Sequence, residues 1–185
     1  LKGALAKHAE AVFSMLQPRE QGAFPLVMRY LVTLSQGEEE VPNRRTVPYR
    51  AFVGSEGRDH DQKAGAKGFV DLFVEKRLLV ADTDPQGEVT VRVAHEALLR
   101  EWQRVKEWLA ENREFLRMRD RLDSSLKLWL SRGKQTDDLL EPGLHLAEGE
   151  KLLKDFGASL SPEQIDYISA SIAERDRRKQ AHERI

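Results

Sequence analysis

The sequence predicts a mainly α-helical protein with one small β-hairpin, and three observations carry that prediction. Apolar residues recur at three- and four-residue spacing along most of the chain, as in helices that bury one face. One stretch, "LLVADTDPQGEVTVRVAH", instead alternates on either side of a proline–glycine turn, as paired strands do. Between Glu96 and Arg132 there is no glycine or proline, so the residues that usually end helices are missing there.

Taken in order, the first helix covers residues 1–16, with Leu5, Ala9, Val12, Phe13 and Leu16 on one face. Pro18 can open the next segment. Phe24, Val27, Met28, Leu31, Val32 and Leu34 mark a second helix that closes near Gly37. Thr46 and Val47 suit a short strand. The first half of "GSEGRDHDQKAGAKG" reads as a loop, because glycine and charge dominate it. A third helix covers residues 64–77, with Ala66, Phe69, Val70 and Phe73 inward. In the hairpin, Val89, Val91 and Val93 share one face, while Thr90 and Arg92 share the other. Asp84-Pro85-Gln86-Gly87 makes its turn. The order helix, helix, short strand, helix, hairpin is that of a winged helix, assigned to residues 1–95.

A helical arm or bundle is assigned to residues 96–175. One stripe contains Leu98, Trp102, Val105 and Leu109; another contains Phe115, Met118, Leu122, Leu126 and Trp129, near heptad spacing. Two helices with a bend or break between Trp102 and Asn112 fit better than one rod, and Gly133 ends the second. Another helix starts near Gly143. Ser161-Pro162-Glu163-Gln164 is a capping-box start for the last one, lined by Ile165, Ile168 and Ile172. Residues 176–185 are almost devoid of apolar side chains and read as a charged linker.

Composition narrows the function. Forty per cent of the 185 residues are hydrophobic, a third are charged, and the formal net charge is −1. That balance gives no general attraction to nucleic acid or anionic membranes. No run approaches the ~20 apolar residues of a spanning helix. No signal peptide is visible, and Leu1 reads as the start of a fragment. Cysteine is absent, which removes disulfides, thiol catalysis and thiolate-bound metal, and makes the cytoplasm the expected location.

"RVAHEALLREW", residues 92–102, places His95 and Glu96 where the hairpin hands over to a helix. A zinc-protease HExxH needs a second histidine at position 99, which is Leu99. His8, His60, His145 and His182 are scattered, and no metal site is expected. No serine stands in a nucleophile-elbow frame, and "GAKGF" lacks phosphate-loop spacing. No catalytic residue is assigned, and the three tryptophans read as core packing. DNA binding is the usual thought for a winged helix, with Lys63, Lys67, Lys76 and Arg77 as candidate contacts. Asp71 and Glu75 on the same outward face oppose it. Arg44 and Arg45 read as a solvated edge or as intramolecular salt-bridge partners. The alternative function is therefore a DNA-binding regulator whose heptad-like run, Phe115 to Trp129, pairs two chains.

"RRTVP", "LFVEKRLLV", "VTVRVAHEALLREWQRVKEWLAENREFLRMRDRL", "LKLWLSRGKQTDDLL" and "GLHLAEGEKLL" together resemble the region after the ATPase domain in bacterial STAND-type signalling ATPases. The resemblance covers roughly residues 3–175. Ala94-His95-Glu96 stands where related proteins carry a Met-His-Asp motif. The resemblance implies a non-catalytic relay between a nucleotide-binding domain and a C-terminal sensor, with ADP or ATP bound in the parent protein and a homo-oligomer in its active state. It implies that His95 contacts the β-phosphate of ADP in the closed form. An imidazole at a strand-to-helix junction suits an anion, and Glu96 is placed to complement the helix dipole and hold the other ring nitrogen. Gln103 stands where the family often has proline, and the ATPase motifs themselves are absent from this sequence.

Overall fold

A computed structural model of the chain describes residues 2–54 and 60–184. The protein is mainly helical with two small antiparallel sheets. It packs as two compact units, Leu1–Leu116 and Arg117–Ile185. Their division lies inside a helix.

The first unit opens with α1 (Lys2–Met15), whose Ala9, Val12 and Phe13 are buried as the periodicity requires. Pro18 occupies the first turn of the short α2 (Pro18–Gly22), and the Glu20 carboxylate accepts from the Gln17 N–H at 2.9 Å. Next comes α3 (Phe24–Leu31). The expected continuation of this helix to Gly37 does not occur. The chain turns extended at Val32, and β1 (Val32–Leu34) pairs antiparallel with β2 (Pro42–Arg44). β-Branched Val32 and Thr33 favour that conformation once a partner strand is present.

β3 (Val47–Pro48) follows, then α4 (His60–Glu75). Of the expected glycine- and charge-rich loop, residues 55–59 lie outside the described residues; α4 already begins at His60, four residues before the predicted start. Gly65 and Gly68 of α4 let α2 approach closely. A Cβ at Gly65 would overlap the Arg19 carbonyl oxygen, and one at Gly68 would overlap the Glu20 carboxylate. That is the structural use of "GAKG". α4 closes with Leu78 N–H donating to Phe73 O at 2.8 Å and Arg77 N–H to Val74 O at 3.0 Å. This is a Schellman closure with Arg77 left-handed at φ 62°.

The predicted hairpin is β4 (Leu79–Thr83) and β5 (Val89–Val93). Asp84 Oδ1 accepts from the N–H groups of Gln86 and Glu88, both at 2.9 Å, and Gly87 takes φ 83°. β5 is the central strand of a three-stranded sheet ordered β3-β5-β4. Val91 and Val93 are fully buried, whereas Val89 on the same face is 44% exposed, because the hairpin tip projects past the core.

α5 (Ala97–Glu101) is a single turn and a half, and α6 (Gln103–Ser131) runs unbroken for 29 residues. The break lies at Trp102 itself, with ψ 115°, at the leading edge of the predicted window. The buried Trp102 ring explains its position. It packs edge-on against Phe24 at 5.4 Å and Phe13 at 6.2 Å, and stacks on Phe73 at 5.9 Å. Each such pair is worth about 0.5–1.5 kcal/mol beyond its area.

In the second unit, α6 is closed after Ser131 by a second Schellman pair with Gly133 left-handed at φ 73°. α7 (Leu144–Phe156) and α8 (Pro162–Glu183) complete it. Buried Gly149 of α7 lies against Ile168 of α8 and Leu140. The capping box at Ser161 forms as its sequence predicts, and buried Gln164 also donates to Asp123 Oδ1 at 2.5 Å. Arg119, with no exposed surface, is matched by Asp120 at 2.9 Å and Asp123 at 3.8 Å. Residues 176–183, expected as a linker, continue α8. Pairs such as Arg178 with Glu174 at 2.7 Å support that helix without an apolar face.

Candidate functional site

The segment from β5 to α6 is built by local hydrogen bonding. Ala94 N–H donates to Leu78 O at 3.0 Å, which ends the β ladder. Leu98 N–H then donates to His95 O at 3.0 Å, and Leu99 N–H to Glu96 O at 2.9 Å. Leu98 and Leu99 are buried under this turn, so the chain must present its other side outward. His95 is exposed there. Its imidazole makes no hydrogen bond or ion pair among the described residues.

Two details of the predicted site differ from expectation. The Glu96 carboxylate faces Arg100 across one helical turn at 3.8 Å and is not on the imidazole. α5 has only five residues, so few peptide dipoles align behind the junction and the helix-end field is small. Positive charge at the junction comes instead from the Arg44 side chain, since Arg100 faces the Glu96 carboxylate. Arg44 Nη1 donates to the Ala94 carbonyl at 3.4 Å, one residue before His95, and Arg100 lies on the exposed side of α5. Arg44 is exposed, in keeping with a solvated edge, but its place beside Ala94 is not an expectation of the sequence. Nothing local shows that β2 lies beside the end of the hairpin.

Beside α5 an open hollow of about 630 Å³ is lined by Gly3, Ala97, Arg100, Glu101 and Lys106. One Glu101 carboxylate oxygen is buried without a hydrogen-bond partner among the described residues. Behind the break, Glu10 forms a clasp. Its carboxylate accepts from Trp102 Nε1 at 2.7 Å and from both Arg104 Nη2 at 2.6 Å and Arg104 Nε at 3.2 Å. The Arg104 guanidinium lies 3.8 Å from the Phe13 ring centre, a cation–π contact. Arg104's hydrogen bonds chiefly hold the Glu10 carboxyl below its ordinary range, against the opposing effect of burial.

The alternative cations lie on or next to α4. Lys67 pairs with Asp71 at 2.6 Å, and Asp71 also accepts from the Tyr49 hydroxyl at 2.5 Å. The hydrogen bond to Asp71 raises the Lys67 ammonium's affinity for its proton, while burial and Asp71 push the Tyr49 hydroxyl up. Lys76 lies 3.5 Å from Glu75. Lys63 is half-buried and Arg77 is exposed at the left-handed helix end. A surface whose lysines already face carboxylates attracts phosphates weakly.

Among the described residues no group of three or more histidine and acidic side chains could hold a metal ion. No helix among them is long and apolar enough to cross a membrane. A family model described as Novel STAND NTPase 1 matches residues 1–137, the larger part of the chain. No curated protein and no solved structure matches it.

Proposed function

The chain belongs to the Novel STAND NTPase 1 family, and on that premise we propose that it is a regulatory relay, not itself catalytic, of a STAND-type NTPase. In this reading residues 1–95 form a winged helix against a neighbouring nucleotide-binding domain. The sheet order β3-β5-β4 supports it, since a winged helix pairs its early short strand with the second strand of the wing. The helices from α5 onward carry the signal from a C-terminal sensor, and the active state is a homo-oligomer. ADP or ATP is held by the neighbouring domain, and His95 donates to the β-phosphate of ADP in the closed form.

The single observation that carries this reading is the exposed His95 ring. It has no hydrogen-bond or ion-pair partner among the described residues, and Arg44 stands one residue away on the Ala94 carbonyl. A phosphate bound there would meet a hydrogen-bond donor beside the Arg44 guanidinium. A contact made in one state and lost in the other is what lets nucleotide identity set the equilibrium.

The test uses the full-length parent protein loaded with ADP. A hydrogen bond to a charged group is worth about 1.5–3 kcal/mol, so His95→Ala should speed ADP release roughly tenfold or more and raise basal oligomerisation. Equal ADP release from variant and wild type would defeat the assignment of His95.

A further inference from the structure

The second unit carries a surface that the nucleotide reading does not use. Between α6 and the segment joining it to α7 lies an open groove of about 370 Å³. Its apolar lining is Leu128, Leu139, Leu140, Pro142, Leu144 and Tyr167. Leu144 is 70% exposed and Leu128 51%, a poor placement for two aliphatic side chains facing water. The groove is held open by well-satisfied neighbours. Tyr167 donates its hydroxyl to Asp138 O at 2.9 Å, and Leu140 N–H donates to Ser171 Oγ at 3.1 Å.

A second, independent feature says what fits. The Asp138 side chain, which lines the same groove, is only 5% exposed. Its Oδ1 is paired with Arg132 at 3.1 Å. Its Oδ2 is buried without a hydrogen-bond partner among the described residues. A carboxylate oxygen shielded from water and lacking a donor is unfavourable until a donor arrives. Asp137 and Glu141 lie on the same lining. Of these three carboxylates, Asp138 and Glu141 face guanidiniums, Arg132 and Arg178, so the rim stays net acidic. The groove asks for an aliphatic side chain and a cationic donor together.

We propose that this groove docks a peptide segment of a partner that seats an aliphatic side chain between Leu128 and Leu144 and places a lysine or arginine on Asp138. Helical spacing sets such a pair three or four residues apart in the partner. The site lies wholly in the second unit, so it stands or falls independently of His95.

Random dodecamers displayed against the purified 185-residue chain supply the probe, and enriched sequences are then titrated as synthetic peptides. The expected winners pair leucine, isoleucine or valine with lysine or arginine. Asp138→Asn should weaken them about tenfold and make binding less sensitive to salt. Leu144→Ser, at an exposed position that the fold does not need, should weaken them similarly while leaving the thermal melt unchanged. The proposal is overturned by enrichment of acidic or uncharged sequences, by no enrichment, or by binding indifferent to both substitutions. It is also overturned if sedimentation shows the chain self-associating in a manner that Leu144→Ser abolishes, since the occupant would then be a second copy.

Discussion

Glu10 shows how one carboxylate on a surface helix can fix a distant bend. It lies 92 positions before Trp102, as the sequence separation of their bond records, yet it holds both the indole and the guanidinium that follow the break. Because Arg104 keeps its carboxyl below the ordinary range, the folded protein binds that proton more weakly than the unfolded chain. The stabilisation is therefore fully present above the unfolded value, about 4.3, and is lost as pH falls through the folded one. Glu10 is 47% exposed, so solvent screening leaves only about 0.5–1 kcal/mol. Glu10→Gln should lower urea-unfolding stability by that amount at pH 7, and the gap to wild type should shrink as the pH falls below the ordinary carboxylate range. A gap that stays constant with pH would assign the effect to shape and not to charge. The same scale explains what could be read of the candidate site. His95 was legible because a hairpin followed by leucines places it at a junction. Arg44 was not, because its nearness depends on non-local strand pairing that no local pattern encodes.

Among the elements, the break at Trp102 is the informative one. Its residue is extended, its N–H bonds back to Leu98 O at 3.1 Å, and its carbonyl accepts from Val105 and Lys106. Gln103 is thus the first residue of α6, a position where proline's fixed φ is already helical and its missing N–H costs nothing. An extended preceding residue is also what proline prefers. Gln103→Pro should therefore be tolerated and stabilise by about 0.4–1 kcal/mol through the unfolded state, less the exposed Gln103–Glu107 contact. A raised thermal midpoint checks this, and a lowered one would mean that the break is not built as described. Helical periodicity located every long helix, but it could not place this break, since apolar stripes run up to it from both sides. The position is set by Phe13, Phe24, Phe73 and Glu10, all far away in sequence. β1 was missed for a related reason. Val32 and Leu34 also satisfy helical spacing after Met28 and Leu31, and only pairing with residues 42–44 decides the outcome.

For the whole molecule, the question is whether the two compact units also melt as two. A relay needs parts whose stabilities can be shifted separately, because a signal acting on one must be able to change its state without unfolding the other. Gly65 offers a clean probe. A methyl group there meets the carbonyl oxygen of Arg19, a backbone atom that cannot rotate aside, so α2 and α4 must part. Overpacking of this kind costs about 1–3 kcal/mol, more than the roughly 1 kcal/mol that alanine gains over glycine inside a helix. Gly68 faces the same helix but meets only the Glu20 side chain, which can move, so Gly68→Ala serves as the milder control. In native-state hydrogen exchange, Gly65→Ala should lower the protection of α3, α4 and the β3-β5-β4 sheet, while amides of α7 and α8 keep wild-type protection. If α7 and α8 lose protection in equal measure, the chain unfolds as one cooperative body. The proposed relay would then have to work by shifting the whole molecule and not by changing one unit against the other.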